Sequence, residues 1–460
     1  MATTYLKPRS LVLSGCMLLN FLVTAGCGSL HSSHADQLVI AHKHGYPINL
    51  ERQEVEVKDF ANYVKPILER IDQYMKSTAG KGAPRLLIHV HGGMNTYGGA
   101  LARVDELLLA QQDGRHEHLA KHHLLFVNWD SSLATSVADD LLTLRLGEEH
   151  PIWGPISSPF ITASRLASSG FSTPQSLAVQ LVNARDALWV RESEPWPWSE
   201  CALAPLGDTS DRWVPGNAAL FVTFYLIRAL TVPVIQGFGT PAWDTMKRRA
   251  ELVLAPRRGI SLARGDGQGT ARLLLDALRA RMKAPRKWHD ENGKEVGELA
   301  ITLVGHSMGT MILNNVLEDY TDLSFDRIVY LAAAASIDDV RGAVLPYLRN
   351  HPETKFWGFS LSETREALEW DYFDMFDRGT LLVWIDHYFQ RVNAPGDRVF
   401  GRGKELRQYF EIPEDLRARF FLVKFGNGRH DPKRHGDFSK MEILERVLQI
   451  VDGEKCPGQL

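Results

Sequence analysis

Residues Ala300 to Gly309 read Ala-Ile-Thr-Leu-Val-Gly-His-Ser-Met-Gly. The first five residues form an almost continuous apolar run, which is typical of a strand buried on both faces. Apolar residues at helical spacing resume at Met311, so the pattern predicts a strand, a tight turn and a helix. Gly305 and Gly309 flank the turn, where strand and helix come too close for bulkier residues. Ser307 is therefore expected to project above a sheet from a strained backbone.

A serine in this setting is predicted to be a nucleophile. The start of a helix favours negative charge nearby, so an oxyanion formed at Ser307 would be stabilised there. The competing interpretation is a glycine-rich turn whose serine only caps the helix. The strand–turn–helix context favours the nucleophile.

Other apolar runs alternate with helical patterns along the chain. The runs lie at 38–41, 85–90, 124–129, 327–331, 356–361 and 420–425. Helical spacing marks 57–75, 99–111, 270–282 and 441–451. Buried strands that alternate with helices predict an α/β fold, in which a mainly parallel sheet carries helices on both faces.

A glycine-rich loop ends the run at 85–90 and reads His91-Gly92-Gly93-Met94. Acyl transfer needs two backbone N–H groups aimed at the developing oxyanion. One is predicted to come from Met308, the residue after the nucleophile, and the other from Gly93 or Met94.

The general base is expected to be a histidine after the last strand. His430 and His435 both follow the run at 420–425. His435 is preferred, because Gly436 permits a tight turn and a helix begins shortly afterwards. His430 is the alternative.

The acid that supports this histidine should lie between Ser307 and His435 in the chain. Asp338, which follows the run at 327–331, is selected on chain order alone. Ser336 and Asp339 have the spacing of a helix-capping pair, which argues for a structural role. The alternatives are Asp339, Glu363, which follows the run at 356–361, and Asp386.

These motifs resemble the α/β-hydrolase superfamily in its lipase and esterase branch, over residues 85–134 and 265–450. The resemblance implies an α/β-hydrolase fold and a cofactor-free serine hydrolase that cleaves carboxylic esters through an acyl-enzyme. Ser307 at the elbow argues against the dehalogenase variants, which use Asp. Thioesters, amides and acyl transfer remain open. The alternative from another class is a non-catalytic envelope lipoprotein that binds a lipid or a protein partner.

Length and composition limit the remaining possibilities. The chain has 460 residues, a formal charge of −3 and 44% hydrophobic residues, which is typical of globular proteins and gives no basic surface for nucleic acid. Paired histidines occur without a ligand framework, so no metal site is expected. Residues 135–264 exceed any ordinary loop and are predicted to form a cap inserted into the core. The apolar run 218–235 within them is interpreted as a buried or interfacial helix.

The first residues indicate export. Residues 1–26 combine early positive charge, a short apolar run and small residues, as a secretory signal does. Cys27 directly after Ala25-Gly26 resembles the lipobox of bacterial lipoproteins, in which this cysteine is lipidated. That resemblance implies anchoring in the bacterial cell envelope, with the outer membrane favoured and the protein facing the periplasm. The partners are then expected to be a membrane and an acyl ester or lipid substrate. Residues 27–84 are treated as an N-terminal segment, and whether Cys201 and Cys456 pair stays open.

Overall fold

A computed structural model describes most of the chain. The described residues are 34–78, 83–145, 148–190, 212–213, 215–257, 267–283, 298–369, 379–390, 392–425 and 431–453. The predicted signal, Cys27, Cys201, Cys456 and His430 lie outside these ranges.

Eight strands form one sheet. They are β1 Leu38–Ala41, β2 Pro47–Ile48, β3 Arg85–Val90, β4 His123–Trp129, β5 Ala300–His306, β6 Arg327–Leu331, β7 Lys355–Leu361 and β8 Phe420–Phe425. Their order is β8-β7-β6-β5-β3-β4-β1-β2. Every neighbouring pair is parallel except β1–β2. The predicted α/β class with a mainly parallel sheet is confirmed.

Thirteen α-helices occur within the described residues. They are α1 Phe60–Thr78, α2 Tyr97–Gln112, α3 Glu117–Ala120, α4 Leu133–Leu142, α5 Trp153–Leu188, α6 Pro215–Leu252, α7 Thr270–Lys283, α8 Gly309–Asp319, α9 Ile337–Asn350, α10 Glu363–Leu368, α11 Leu381–Trp384, α12 Gly403–Tyr409 and α13 Met441–Gly453. The helices predicted at 57–75, 99–111, 270–282 and 441–451 correspond to α1, α2, α7 and α13.

The strand order reverses between β3 and β5. The chain leaves β3 through α2 towards β4, and it leaves β5 through α8 towards β6 on the other side. Crossovers between parallel strands are right-handed, so α2 and α8 lie on opposite faces of the sheet. The carboxyl ends of β3 and β5 therefore open a crevice, which is where sheets of this type bind ligands.

The N-terminal segment joins this sheet. β1 pairs in parallel with β4, and its four residues are all buried. Tyr63 on α1 accepts a hydrogen bond from the backbone N–H of Ile40 at 2.9 Å. Residues from Leu38 onward are thus part of the same core as the strands that carry the site.

The long segment between β4 and β5 is mainly helical. Two helices dominate it, α5 and α6, which pack against each other. The run 218–235 lies in the backbone of α6, and the side chains of 218–230 are outside the described set. Across the described ranges, no helix is long and apolar enough to cross a membrane.

A buried ion-pair cluster ties the end of α6 to the sheet. Arg249, which is 4% exposed, donates to Asp139 at 2.6 Å and approaches a carboxylate oxygen of Asp130 at 2.9 Å. Asp130 directly follows β4, and Asp139 lies on α4. Because a charge buried without a partner is costly, this cluster holds the insertion in one position relative to the sheet.

Candidate functional site

Ser307 occupies the tight turn between β5 and α8. Its φ is +50°, in the left-handed region that a serine rarely adopts. The turn is held from both sides: the Ser307 N–H donates to the Leu331 carbonyl at 2.9 Å, and the Ser307 carbonyl accepts from the N–H of Ala334 at 3.1 Å and from the hydroxyl of Thr310 at 2.6 Å. The surrounding loop therefore over-determines the strained conformation.

The glycines around the turn are required by close backbone approaches. A Cβ on Gly309 would lie 2.3 Å from the Val90 carbonyl oxygen, and one on Gly305 would lie 3.1 Å from the Thr310 nitrogen. A Cβ on Gly92 would lie 2.8 Å from the Cβ of Ser307. The loop after β3 therefore packs directly on the turn that carries Ser307, because β3 and β5 are neighbours in the sheet.

His435 meets Ser307 across the crevice. Its Nε2 lies 3.0 Å from the Ser307 Oγ, and both side chains are buried. This histidine begins a short 3-10 helix, His435–Ser439, whose Phe438 is fully buried and anchors the turn. The structure brings together the predicted nucleophile and the predicted base, which are 128 residues apart.

Burial keeps the imidazole of His435 neutral. Removal from water lowers its pKa to about 4. A neutral ring can accept the Ser307 proton at Nε2 only when Nδ1 carries the other proton. Nδ1 is buried and has no hydrogen-bond partner among the described residues. An acceptor for that N–H is therefore the missing part of the arrangement.

Asp338 does not supply that acceptor here. Its side chain is 57% exposed, and its carboxylate accepts from Arg341 at 3.0 Å. A Cβ on Gly396 would clash with this same carboxylate. The selection of Asp338 as the acid is corrected by this geometry, because the first turn of α9 directs the side chain to solvent.

The alternatives at 339 and 386 have structural partners. Asp339 and Ser336 form the capping box that starts α9. Asp386 is buried, and it accepts from Arg402 at 2.6 Å and from the Val399 N–H at 2.9 Å. Glu363, the third alternative, lies in the first turn of α10.

Glu369, just beyond α10, lies next to His435. Its Oε2 accepts a hydrogen bond from the backbone N–H of His435 at 2.8 Å. The unpartnered Nδ1 belongs to the same residue, so the carboxylate lies beside the ring it could support. Sequence reasoning missed Glu369, because Glu363, Glu366 and Glu369 all follow β7. Only the position of the α10 end distinguishes them.

The hydrogen bonds of the glycine-rich loop separate the two oxyanion candidates. Met94 has a φ of +64°, and its N–H donates to the Ser131 carbonyl at 2.6 Å. The N–H groups of Gly93 and Met308 have no acceptor within the described part of the chain. The prediction of Met94 as a donor is therefore corrected, and the arrangement leaves Gly93 and Met308 available for an oxyanion.

Side chains of the same loop hold this glycine segment. The ring of His91 bonds the Gly92 carbonyl through Nδ1 at 2.8 Å, and its Nε2 accepts the Trp129 N–H at 3.1 Å. Asn95 donates to the carbonyls of Gly92 and Gly93 at 2.9 and 3.2 Å. The first histidine of the motif is thus a scaffold, and burial lowers its pKa.

The insertion reaches the site through α6. A Cβ on Gly93 would lie 3.0 Å from the Cε of Met246 and 2.6 Å from the Sδ of Met308. Met246 and the neighbouring Trp243 are buried. The side of the glycine loop that faces α6 is therefore apolar and adaptable, as thioether side chains are.

The described residues contain no group of three or more His, Cys, Asp or Glu side chains placed to hold a metal ion. His42 and His44 lie close together, and their rings stand 5.0 Å apart.

Comparisons with known proteins found no relative of this chain. No protein-family model, no curated protein and no solved structure matches it.

Proposed function

We propose that this protein is a serine hydrolase with an α/β-hydrolase fold that cleaves carboxylic esters through an acyl-enzyme. The observation that carries the proposal is the 3.0 Å contact between Ser307 Oγ and His435 Nε2, with Ser307 in a left-handed turn at the end of a parallel strand. The order nucleophile after β5, carboxylate after β7 and histidine after β8 also matches that fold.

In the proposed acylation step, Ser307 Oγ attacks the ester carbonyl carbon while its proton moves to Nε2 of His435. The carbonyl oxygen becomes an oxyanion, which the N–H groups of Gly93 and Met308 stabilise. The ester C–O bond then breaks, and the alcohol leaves with the proton from Nε2. Water then attacks the carbonyl carbon of the acyl-enzyme in the same way, with His435 taking its proton, and the carboxylic acid is released.

Glu369 takes the role of the acid in this proposal. When His435 becomes protonated, the buried ring carries a positive charge that water does not reach to stabilise. A shift of the Glu369 carboxylate from the backbone N–H to Nδ1 would orient the ring and offset the charge. The acid acts only through the histidine, so its loss should reduce turnover more than substrate binding.

The substrate class is inferred from the side chains that border the glycine-rich loop at Gly93. Met246 and Met308 border Gly93, and Trp243 lies buried nearby on α6. We infer an ester with an apolar acyl chain, because polar acyl groups would lose hydration there without regaining hydrogen bonds. Lipid attachment at Cys27 would place this enzyme at an envelope membrane. Cys27→Ser should release the protein from the membrane fraction.

A fluorophosphonate probe tests the enzyme directly, since it labels activated serines. Purified protein should be labelled, and Ser307→Ala should not be. Equal labelling of the two proteins, or none of the wild type, would favour a non-catalytic binding protein. His435→Ala should abolish labelling while His430→Ala retains it. A series of p-nitrophenyl esters of increasing chain length then measures acyl preference.

A further inference from the structure

One face of α5 is exposed and apolar. Trp153, Ile156, Phe160 and Phe171, here called the α5 face, are 68%, 56%, 78% and 89% exposed. At about 100° per residue these four positions fall within about 60° of one another around the helix axis. They extend along about 27 Å of helix, at about 1.5 Å per residue. An isolated exposed leucine is ordinary, but an aligned set with three aromatic rings marks an interaction surface.

Charge is missing from the same surface. From residue 153 to residue 171, Arg165 is the only charged residue. Its guanidinium donates to Asp140 on α4 at 3.0 Å, so the charge is directed to the protein and not to the α5 face. A helix that faces water normally carries charged residues on its outer side. The α5 face therefore does not have the composition of a solvated helix surface.

We propose that the α5 face docks on a lipid bilayer, with the helix lying parallel to the membrane surface. Side chains of this kind, Trp and Phe on a helix that lies flat, enter the boundary between headgroups and acyl chains. A bilayer needs no complementary shape, which fits a single convex row of side chains. A protein partner would be expected to require a pocket or a pattern of polar contacts.

The chain that follows the predicted anchor contacts the segment just before α5. His34, the first described residue, is seven residues from Cys27, which is at most about 25 Å of extended chain. Lys43 and His44 contact Glu149 at 2.9 and 3.1 Å, just before α5 begins. The segment that leads from the anchor therefore passes the start of the α5 face. A lipid on Cys27 would hold the chain at the bilayer that the α5 face enters.

Docking would also orient the proposed active site. α5 packs against α10, and the chain leaves α10 at Glu369. The statement that docking orients an active site rests on the proposed hydrolase function. Contact with the membrane does not depend on that function. The test therefore uses a Ser307→Ala chain, which cannot turn over lipid.

The experiment places an environment-sensitive fluorophore on the α5 face of the full chain. Phe160→Cys is labelled in a background that carries Ser307→Ala and lacks the four native cysteines (Cys16→Ala, Cys27→Ser, Cys201→Ala and Cys456→Ala), and the protein is mixed with vesicles of phosphatidylethanolamine and phosphatidylglycerol. Leu109→Cys on α2 is the matched control, because Leu109 is 61% exposed and is isolated. The probe at 160 should brighten and be quenched at least about twofold by lipids carrying a nitroxide on the acyl chain.

The outcomes are distinct from those of the hydrolase test. Equal quenching at positions 160 and 109, or none at 160, would overturn the docking surface even if the protein hydrolyses esters. A brighter probe at 160 that lipid nitroxides do not quench, with a doubled mass in solution, would assign the face to a second copy instead. In a Cys27→Ser chain, Phe160→Ser with Phe171→Ser should weaken vesicle binding at least about tenfold. Unchanged binding would contradict the proposal.

Discussion

Replacement of Glu369 by Gln tests the least obvious member of the proposed site. Gln keeps an oxygen that can accept the backbone N–H of His435, which Glu369 now accepts at 2.8 Å. It removes the negative charge that would support a protonated ring. The change therefore separates the electrostatic role of the carboxylate from its role in holding the loop.

The size of the effect follows from the burial of His435. Charges about 4 Å apart at an effective dielectric constant of about 20 attract by about 4 kcal/mol. Because the ring is charged only during proton transfer, the loss falls on the barrier and lowers kcat about a thousandfold. KM should change little, since Glu369 acts through the histidine.

Single-turnover acylation with a p-nitrophenyl ester measures this effect, and thermal unfolding checks that the variant folds. Asp338→Asn is the matched control, because that exposed carboxylate pairs with Arg341, and its rate should stay within about twofold of wild type. A Glu369→Gln rate within about threefold of wild type would refute the assignment. A large loss in Asp338→Asn would restore the choice made on chain order.

Three further results are expected. His435 must be neutral to accept a proton, and burial by itself lowers its pKa to about 4, whereas a carboxylate beside the ring raises that pKa; the fall of kcat/KM at low pH should therefore lie at a higher pH in wild type than in Glu369→Gln, and coincident profiles would show that Glu369 does not act on the ring. Gly92→Ala places a Cβ 2.8 Å from the Ser307 Cβ, so fluorophosphonate labelling should slow at least about tenfold with near-UV circular dichroism unchanged. Arg249→Met leaves the buried Asp130 without its cation, while Asp139 keeps Lys43 at 3.2 Å, and urea unfolding should show a loss of about 3–5 kcal/mol; a loss below about 1 kcal/mol would mean that the cluster does not hold the insertion.

Local patterns identified the features that depend on short-range physics. The strand at 300–306 and the turn at Ser307 follow from apolar runs and from glycines that only a close strand–helix approach requires. His435 could be predicted because a parallel sheet brings the carboxyl ends of its strands to one edge. Few histidines follow directly after a strand, so few could lie near Ser307. These inferences survive because each uses a rule that does not depend on distant side chains.

The proposed acid and the proposed oxyanion donors could be chosen only from the tertiary structure. Three glutamates lie within the eight residues after β7, and the position of the end of α10 brings the carboxylate of Glu369 to the backbone N–H of His435. Met94 and Gly93 are neighbours in sequence, yet the N–H of Met94 donates a hydrogen bond to the carbonyl of Ser131 in the loop after β4. Which loops exchange hydrogen bonds depends on the order of the strands in the sheet, and that order cannot be read from a short stretch of sequence. Local patterns were thus sufficient for the α/β class and for the pairing of Ser307 with His435, whereas the packing of loops against one another sets which groups surround these two side chains.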